Sequence, residues 1–259
     1  MSKVELKDFL DSMVDRYNRP DFIEHDPISI PHGYSRKEDI EIIAFLVATI
    51  SWGNRKSIIS SAQKIEEIVE RAPYEFITAH SENDLKRTVN FVHRTFNGDD
   101  LLGFIVGLRR VYEDYGSLEM AFAKWYSSSH DLATTISAFR RDFFQAPHLA
   151  RTEKHVSDPM KGSAAKRIHM FLRWMVRKDD RGVDFGIWNQ IPMSVLSCPL
   201  DVHTGNVARE LGMLTRKQND LKAVRELDLV LRDLDIADPV RYDFALFGWG
   251  EERKRKSGI

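Results

Sequence analysis

The stretch Ser35-Arg-Lys-Glu-Asp-Ile-Glu-Ile-Ile-Ala-Phe-Leu-Val-Ala-Thr-Ile50 decides the fold class. From Asp39 to Ile50 it is apolar on nearly every side, the mark of a helix enclosed by other elements. Ser35 and Glu38 stand at capping-box spacing and predict its start, and Trp52-Gly53 marks its end. Between Lys56 and Glu70, Ile58, Ile59, Ala62, Ile65 and Val69 recur at helical spacing, which predicts a second helix. Further helices are predicted over 3–17, 83–94, 99–115, 117–127, 131–145, 163–178, 203–213, 219–234 and 238–248. Alternating runs bounded by tight turns are scarce, so the expected class is all-α. One domain of two packed helical halves is expected over 1–250, followed by a charged tail over 251–259. Phe22–His32, Asp179–Gly186 and Pro192–Pro199 read as the irregular stretches.

Composition narrows the classes. A chain of 259 residues with 42% hydrophobic and 30% charged residues has enough apolar surface for a sizeable core. Its single cysteine, Cys198, excludes an internal disulfide framework and a four-cysteine iron–sulfur cluster. No HExxH pattern accompanies His203, so neither metal nor cofactor is expected. The longest apolar run, Ile42 to Ile50, is too short to span a bilayer, and the opening residues lack a secretory stretch. A cytoplasmic, monomeric protein without a membrane partner is expected. A net charge of -1 argues against a uniform positive field, yet seven bases stand against two acids between Lys161 and Arg181.

Two segments carry the candidate chemistry. Over 162–177 (GSAAKRIHMFLRWMVR), Ala165, Ile168, Leu172 and Met175 form a stripe, and Lys166, Met170, Arg173 and Arg177 fall on another face. A lysine at the positive end of a helix is disfavoured as the ammonium and favoured as the attacking amine. Over 199–212 (PLDVHTGNVARELG), Pro199 keeps the helix from starting early, and Asp201 and Thr204 are both capping residue types. From spacing alone, Asp201 is either a helix cap or a catalytic carboxylate.

These two segments, in this order, resemble the helix-hairpin-helix DNA glycosylase/lyase superfamily, where a hairpin leads into a helix bearing a catalytic lysine and a V-D-T-H-like motif bears the aspartate. Lys166 and Asp201 occupy those positions. The look is nearest to the archaeal-type oxidised-guanine glycosylases, since Phe171, Leu172 and Arg173 follow Lys166 as K-x-x-x-x-F-L-R. Upstream, Ile42 to Lys56 (IIAFLVATISWGNRK) is similar to the buried helix and loop that face the damaged strand. More broadly, SDPMKGSAAKR (157–167), FLRWMVRKDD (171–180), VDFGIW (183–188), PLDVHT (199–204) and YDFALFGWG (242–250) resemble a bacterial family of unknown function.

The resemblance implies a helix-hairpin-helix element and double-stranded DNA carrying a damaged base as the partner. It implies an N-glycosylase and AP lyase for oxidised purines, with Lys166 forming a Schiff base and Asp201 assisting it. DNA contacts are expected from Lys161, Gly162, Ser163, Arg167, Arg173, His203, Thr204, Trp52 and Asn54, and a base pocket from Phe247 and Trp249. The hairpin keeps one glycine, Gly162, of the usual G-x-G. A noncatalytic nucleic-acid-binding module, and an all-α protein unrelated to DNA, stay open as alternatives.

Overall fold

The computed structural model describes residues 1–257, with side chains through Lys254. Among these residues the helices are α1 (Lys3–Tyr17), α2 (Lys37–Ile50), α3 (Arg55–Ile68), α4 (Pro73–Ala79), α5 (Glu82–Leu85), α6 (Gly98–Tyr115), α7 (Leu118–Ser129), α8 (Leu132–Phe143), α9 (Lys166–Val176), α10 (Val202–Glu210), α11 (Leu221–Leu234) and α12 (Tyr242–Ser257). A two-stranded hairpin, β1 (Val92–His93) and β2 (Phe96–Asn97), is the strand content of the described residues. The protein is mostly helical.

The chain divides into two compact units, a terminal one built from Met1–Phe22 with the stretch from Asp158 onward, and a central one over Ile23–Ser157. In the central unit α2 is buried from Ile40 to Ile50, as its unbroken apolar run requires. Its core is aromatic: Phe122 stacks on Phe139 at 3.9 Å, and Phe45 meets Phe143 edge-on at 5.5 Å. The Phe143 ring fits because position 107 is glycine, where a Cβ would lie 2.7 Å from the ring. In the terminal unit, Leu10 and Val14 of α1 share a core with Val207 and Ala208 of α10, Val224, Leu227 and Leu231 of α11, and Tyr242, Ala245 and Leu246 of α12. At such close packing the burial of one leucine stabilises by about 1.5–3 kcal/mol.

Several expectations are revised. The Ser35–Glu38 capping box does not form: α2 starts after Arg36, without a side-chain cap, and Glu38 pairs with Arg36 at 3.0 Å instead. The helix expected over 83–94 stops at Leu85, passes through a 3₁₀ turn at Lys86–Thr88 and gives way to the hairpin, where Val92 suits extended backbone. Helix α4 was not foreseen from sequence, although Pro73 is placed where a helix accepts proline. The start of the charged tail continues α12, with Glu252 paired to Arg16 at 2.9 Å and Arg253 paired to Glu210. Residues 258–259 of that tail lie outside the described residues.

Candidate active site

The terminal unit brings Lys166 and Asp201 together. Lys166 is the first residue of α9, which it enters from Ala165 in a left-handed conformation (φ 45°, ψ 39°). Such backbone is unfavourable for alanine, and here it places the lysine at the helix start instead of a capping side chain. Ahead of it, Gly162 at φ 92° turns the chain in a conformation that favours glycine. Ser163 pairs with Asp220 in an antiparallel bridge, and the Leu221 amide donates to the Gly162 carbonyl at 3.0 Å.

Asp201 is the N-cap of α10, and its carboxylate accepts the Thr204 amide at 2.9 Å. The cap reading and the catalytic reading therefore share one side chain: Oδ1 caps the helix and Oδ2 stands 4.0 Å from Lys166 Nζ. Both side chains are about a quarter exposed, at 27% and 24%. Lys166 Nζ also contacts Met170 Sδ at 3.6 Å. Asn219 holds the backbone of Asp201, its amide donating to the carbonyl at 2.8 Å, and Arg209 Nη2 holds Asn219 Oδ1 at 2.5 Å. Asn219, Asp220 and Leu221 thus tie the chain before α9 to the start of α10, and sequence reasoning missed them. Their signal was confined to Asp220 as a cap residue three positions before the α11 stripe.

Beneath this pair lies a buried ionic network, and it corrects the sequence reading of Arg173. Arg173 is 5% exposed and pairs with Asp184 at 3.2 Å and with Asp243, so it faces inward and is not part of a DNA-facing patch. Arg177 is 2% exposed and pairs with Asp179, Asp184 and Asp238. The Phe244 ring lies beside both guanidiniums, at 4.4 and 5.3 Å. Burial pushes the Asp243 carboxyl up to about 6, against the pull of Arg173, while the Asp201 charge adds to the rise. Cys198 Sγ lies 3.7 Å from Asp243, and burial pushes that thiol well up, so it is not a thiolate nucleophile. His169 on α9 is buried with no hydrogen-bond partner for either ring nitrogen among the described residues, and burial lowers it to about 4.

The irregular segment over 179–197 packs against α9. Phe185 and Trp188 donate their amides to the carbonyls of Trp174 and Met175, covering the end of α9, and this delivers Asp184 to both arginines.

The remaining predicted site residues separate into groups. Lys161 and Gly162 are exposed, and Ser163 and Arg167 are half-buried. Burial lowers the Arg167 guanidinium to about 10, so it stays charged at neutral pH. His203 is partly open and lies 3.9 Å from Glu251. Thr204 is fully buried and its hydroxyl has no partner among the described residues, so its side chain is not a surface contact. Trp249 is half-buried and packs edge-on against Phe9 at 5.1 Å under Arg253, which makes it part of the α1–α12 packing. Phe247 is half-buried, 6.5 Å from Phe22. The element before Gly162 is a single 3₁₀ turn, Pro159–Lys161, and not a helix. Trp52 and Asn54 belong to the central unit, where Trp52 is half-buried against His93 and His155, and Asn54 caps α3 by accepting the Ser57 amide.

Among the described residues no group of three or more His, Cys, Asp or Glu side chains is arranged to hold a metal ion, and no helix is long and apolar enough to cross a membrane. A protein-family model described as "Protein of unknown function (DUF2400)" matches residues 26–252. No curated protein and no solved structure matches the chain.

Proposed function

The chain belongs to that family of unknown function, and we propose that it is a DNA base-excision glycosylase with AP lyase activity on an oxidised purine. The observation that carries this reading is the 4.0 Å approach of Lys166 Nζ to Asp201 Oδ2, partly open to solvent. A lysine nucleophile needs a carboxylate beside it to take its proton, and both groups stand at helix starts held by the Asn219 segment.

A damaged nucleotide leaves the stack at a cost of a few kcal/mol, least for a weakened pair. The Lys166 amine attacks C1′ as the N-glycosidic bond breaks, and the base leaves with the bonding electrons and takes up a proton. Asp201 stabilises the positive charge that develops on the sugar and accepts the proton released by Lys166. Opening of the sugar ring gives the Schiff base. Loss of a C2′ proton then expels the 3′ phosphate. The exposed Lys161 and Gly162, with Ser163 beside them, support a phosphate contact ahead of α9 in the manner of a helix-hairpin-helix element.

The shortness of the Pro159–Lys161 turn favours a second reading, a nucleic-acid-binding module without turnover. Borohydride trapping on duplex DNA carrying an oxidised guanine or an abasic site separates the two. The expected result is a covalent adduct with the wild-type protein and none with Lys166→Gln. Duplex binding without any adduct would leave the binding module.

A further inference from the structure

We propose that Arg94, seated over Gly53, is a binding site for the phosphodiester backbone of duplex DNA on the central unit. The proposal rests on the nucleic-acid reading above, and it comes from a local rule that the backbone breaks. In the hairpin Val92 pairs with Asn97 and His93 with Phe96, which leaves Arg94-Thr95 as a two-residue turn. Such turns call for positive φ, ordinarily supplied by Asn or Gly. Here Arg94 takes φ 55°, a conformation that costs any residue with a Cβ.

The surroundings hold it there. His93 Nδ1 lies 2.9 Å from Ser61 Oγ, and the Phe96 ring packs edge-on against His155 at 4.8 Å. Arg151 donates to the Thr95 carbonyl and to Asn97 Oδ1, each at 2.8 Å. The turn is thus fixed from three directions, and its strained residue is a cation.

The side chain lies over the bare backbone of Gly53. A Cβ at position 53 would come within 2.7 Å of Arg94 Nη1, and Gly53 itself sits at φ 104°. Arg87, Arg110 and Arg151 of this unit have carboxylate partners, in Glu70, Asp142 and Asp100, and Arg109 is held by the carbonyls of Ile77, Thr78 and His80. Arg94 is exposed, and no hydrogen bond or carboxylate among the described residues engages its guanidinium. Strain held in place around an uncompensated charge points to an anion that arrives from outside.

The neighbouring loop favours a phosphodiester backbone. Trp52 is half-buried, with its ring 5.1 Å from His93 and 5.8 Å from His155, and Asn54 and Lys56 follow it exposed. With Trp52 packed on His155 and Asn54 Oδ1 engaged by the α3 cap, what this loop adds to Arg94 is the exposed Lys56 ammonium, and exposed cations of this kind suit the phosphates of a nucleic-acid backbone.

The test is binding of a short DNA duplex by the full chain, followed by fluorescence anisotropy across 50–200 mM salt, for wild type, Arg94→Asn and Arg94→Lys. Asparagine tolerates positive φ, so Arg94→Asn is expected to melt no lower than wild type while losing about tenfold in affinity. One phosphate contact fewer lowers the slope of log affinity against log salt by about one; Arg94→Lys is expected to keep that slope. An Arg94→Asn protein with wild-type affinity and slope overturns the site while leaving the glycosylase reading to the trapping assay. A slope that depends on Arg94 in a protein giving no borohydride adduct upholds the site and removes the lyase. Absence of duplex binding by wild type, including a preference for single-stranded RNA alone, overturns both.

Discussion

A methyl group at Gly205 would lie 2.6 Å from Asn219 Oδ1 and 2.9 Å from Arg209 Nη1, so Gly205→Ala must displace the amide that holds the Asp201 carbonyl. Misplacement of a reacting group by about 1 Å costs on the order of a hundredfold in rate. We expect Gly205→Ala to reduce single-turnover adduct formation by about that factor with its melting temperature little changed, and an unchanged rate would remove Asn219 as a positioning residue. At this scale the sequence marked Lys166 by its place at a helix start and left Asp201 open between a cap and a catalytic carboxylate, and the resemblance singled out the pair. It was silent on Asn219 and Asp243, because nothing in an asparagine or an aspartate at a helix start says which carbonyl or which guanidinium it will meet.

At the scale of elements, α9 shows why a polar stripe is ambiguous. Met170, Arg173 and Arg177 share a face in the sequence pattern, and a polar face ordinarily meets solvent. The segment over 179–197 instead packs on the helix end and brings Asp184 to both arginines, so this face is interior. Removing one partner of a buried ionic cluster leaves the others uncompensated, at a cost of about 3–5 kcal/mol. Arg177→Met is therefore expected to lower the unfolding free energy from denaturant titration by an amount in that range, and a loss below about 1 kcal/mol would contradict the network's role in stability. The hairpin carries the opposite lesson. Val92 has a strand preference that a helical reading of 83–94 passes over, and it prevailed because Val92 and His93 found partners in Asn97 and Phe96, while Thr88 and Val89 keep helical backbone.

For the whole molecule, the near-balance of 38 basic and 39 acidic residues hides groups whose charges are far from independent. Burial raises Asp243 to about 6 from the ordinary 3.8, so between about pH 4 and 6 the folded protein holds this proton more tightly than the unfolded chain. The group's contribution to stability is full below that window and is lost as pH rises through it. The difference of roughly two units corresponds to about 3 kcal/mol. Asp220, lowered to about 2 chiefly by its bond to Arg216, acts in the opposite sense at lower pH, so the comparison of variant with wild type is the informative one. Relative to wild type, Asp243→Asn should gain stability by up to about 3 kcal/mol on going from pH 4 to pH 7 in urea titrations. A difference that stays flat across this range would mean that Asp243 does not titrate there.

By itself the amino-acid sequence determined the helical class, most helix positions and the order of a lysine-bearing helix and an aspartate-capped one, because these follow from periodicity and capping within a few turns of chain. Tertiary structure alone decided that Lys166 and Asp201 stand 4.0 Å apart, that Arg173 and Arg177 turn inward, and that the terminal unit joins Met1–Phe22 to the stretch from Asp158 onward. The physical reason is that pairing and burial depend on which distant segment covers a face, and periodicity records only that a face exists.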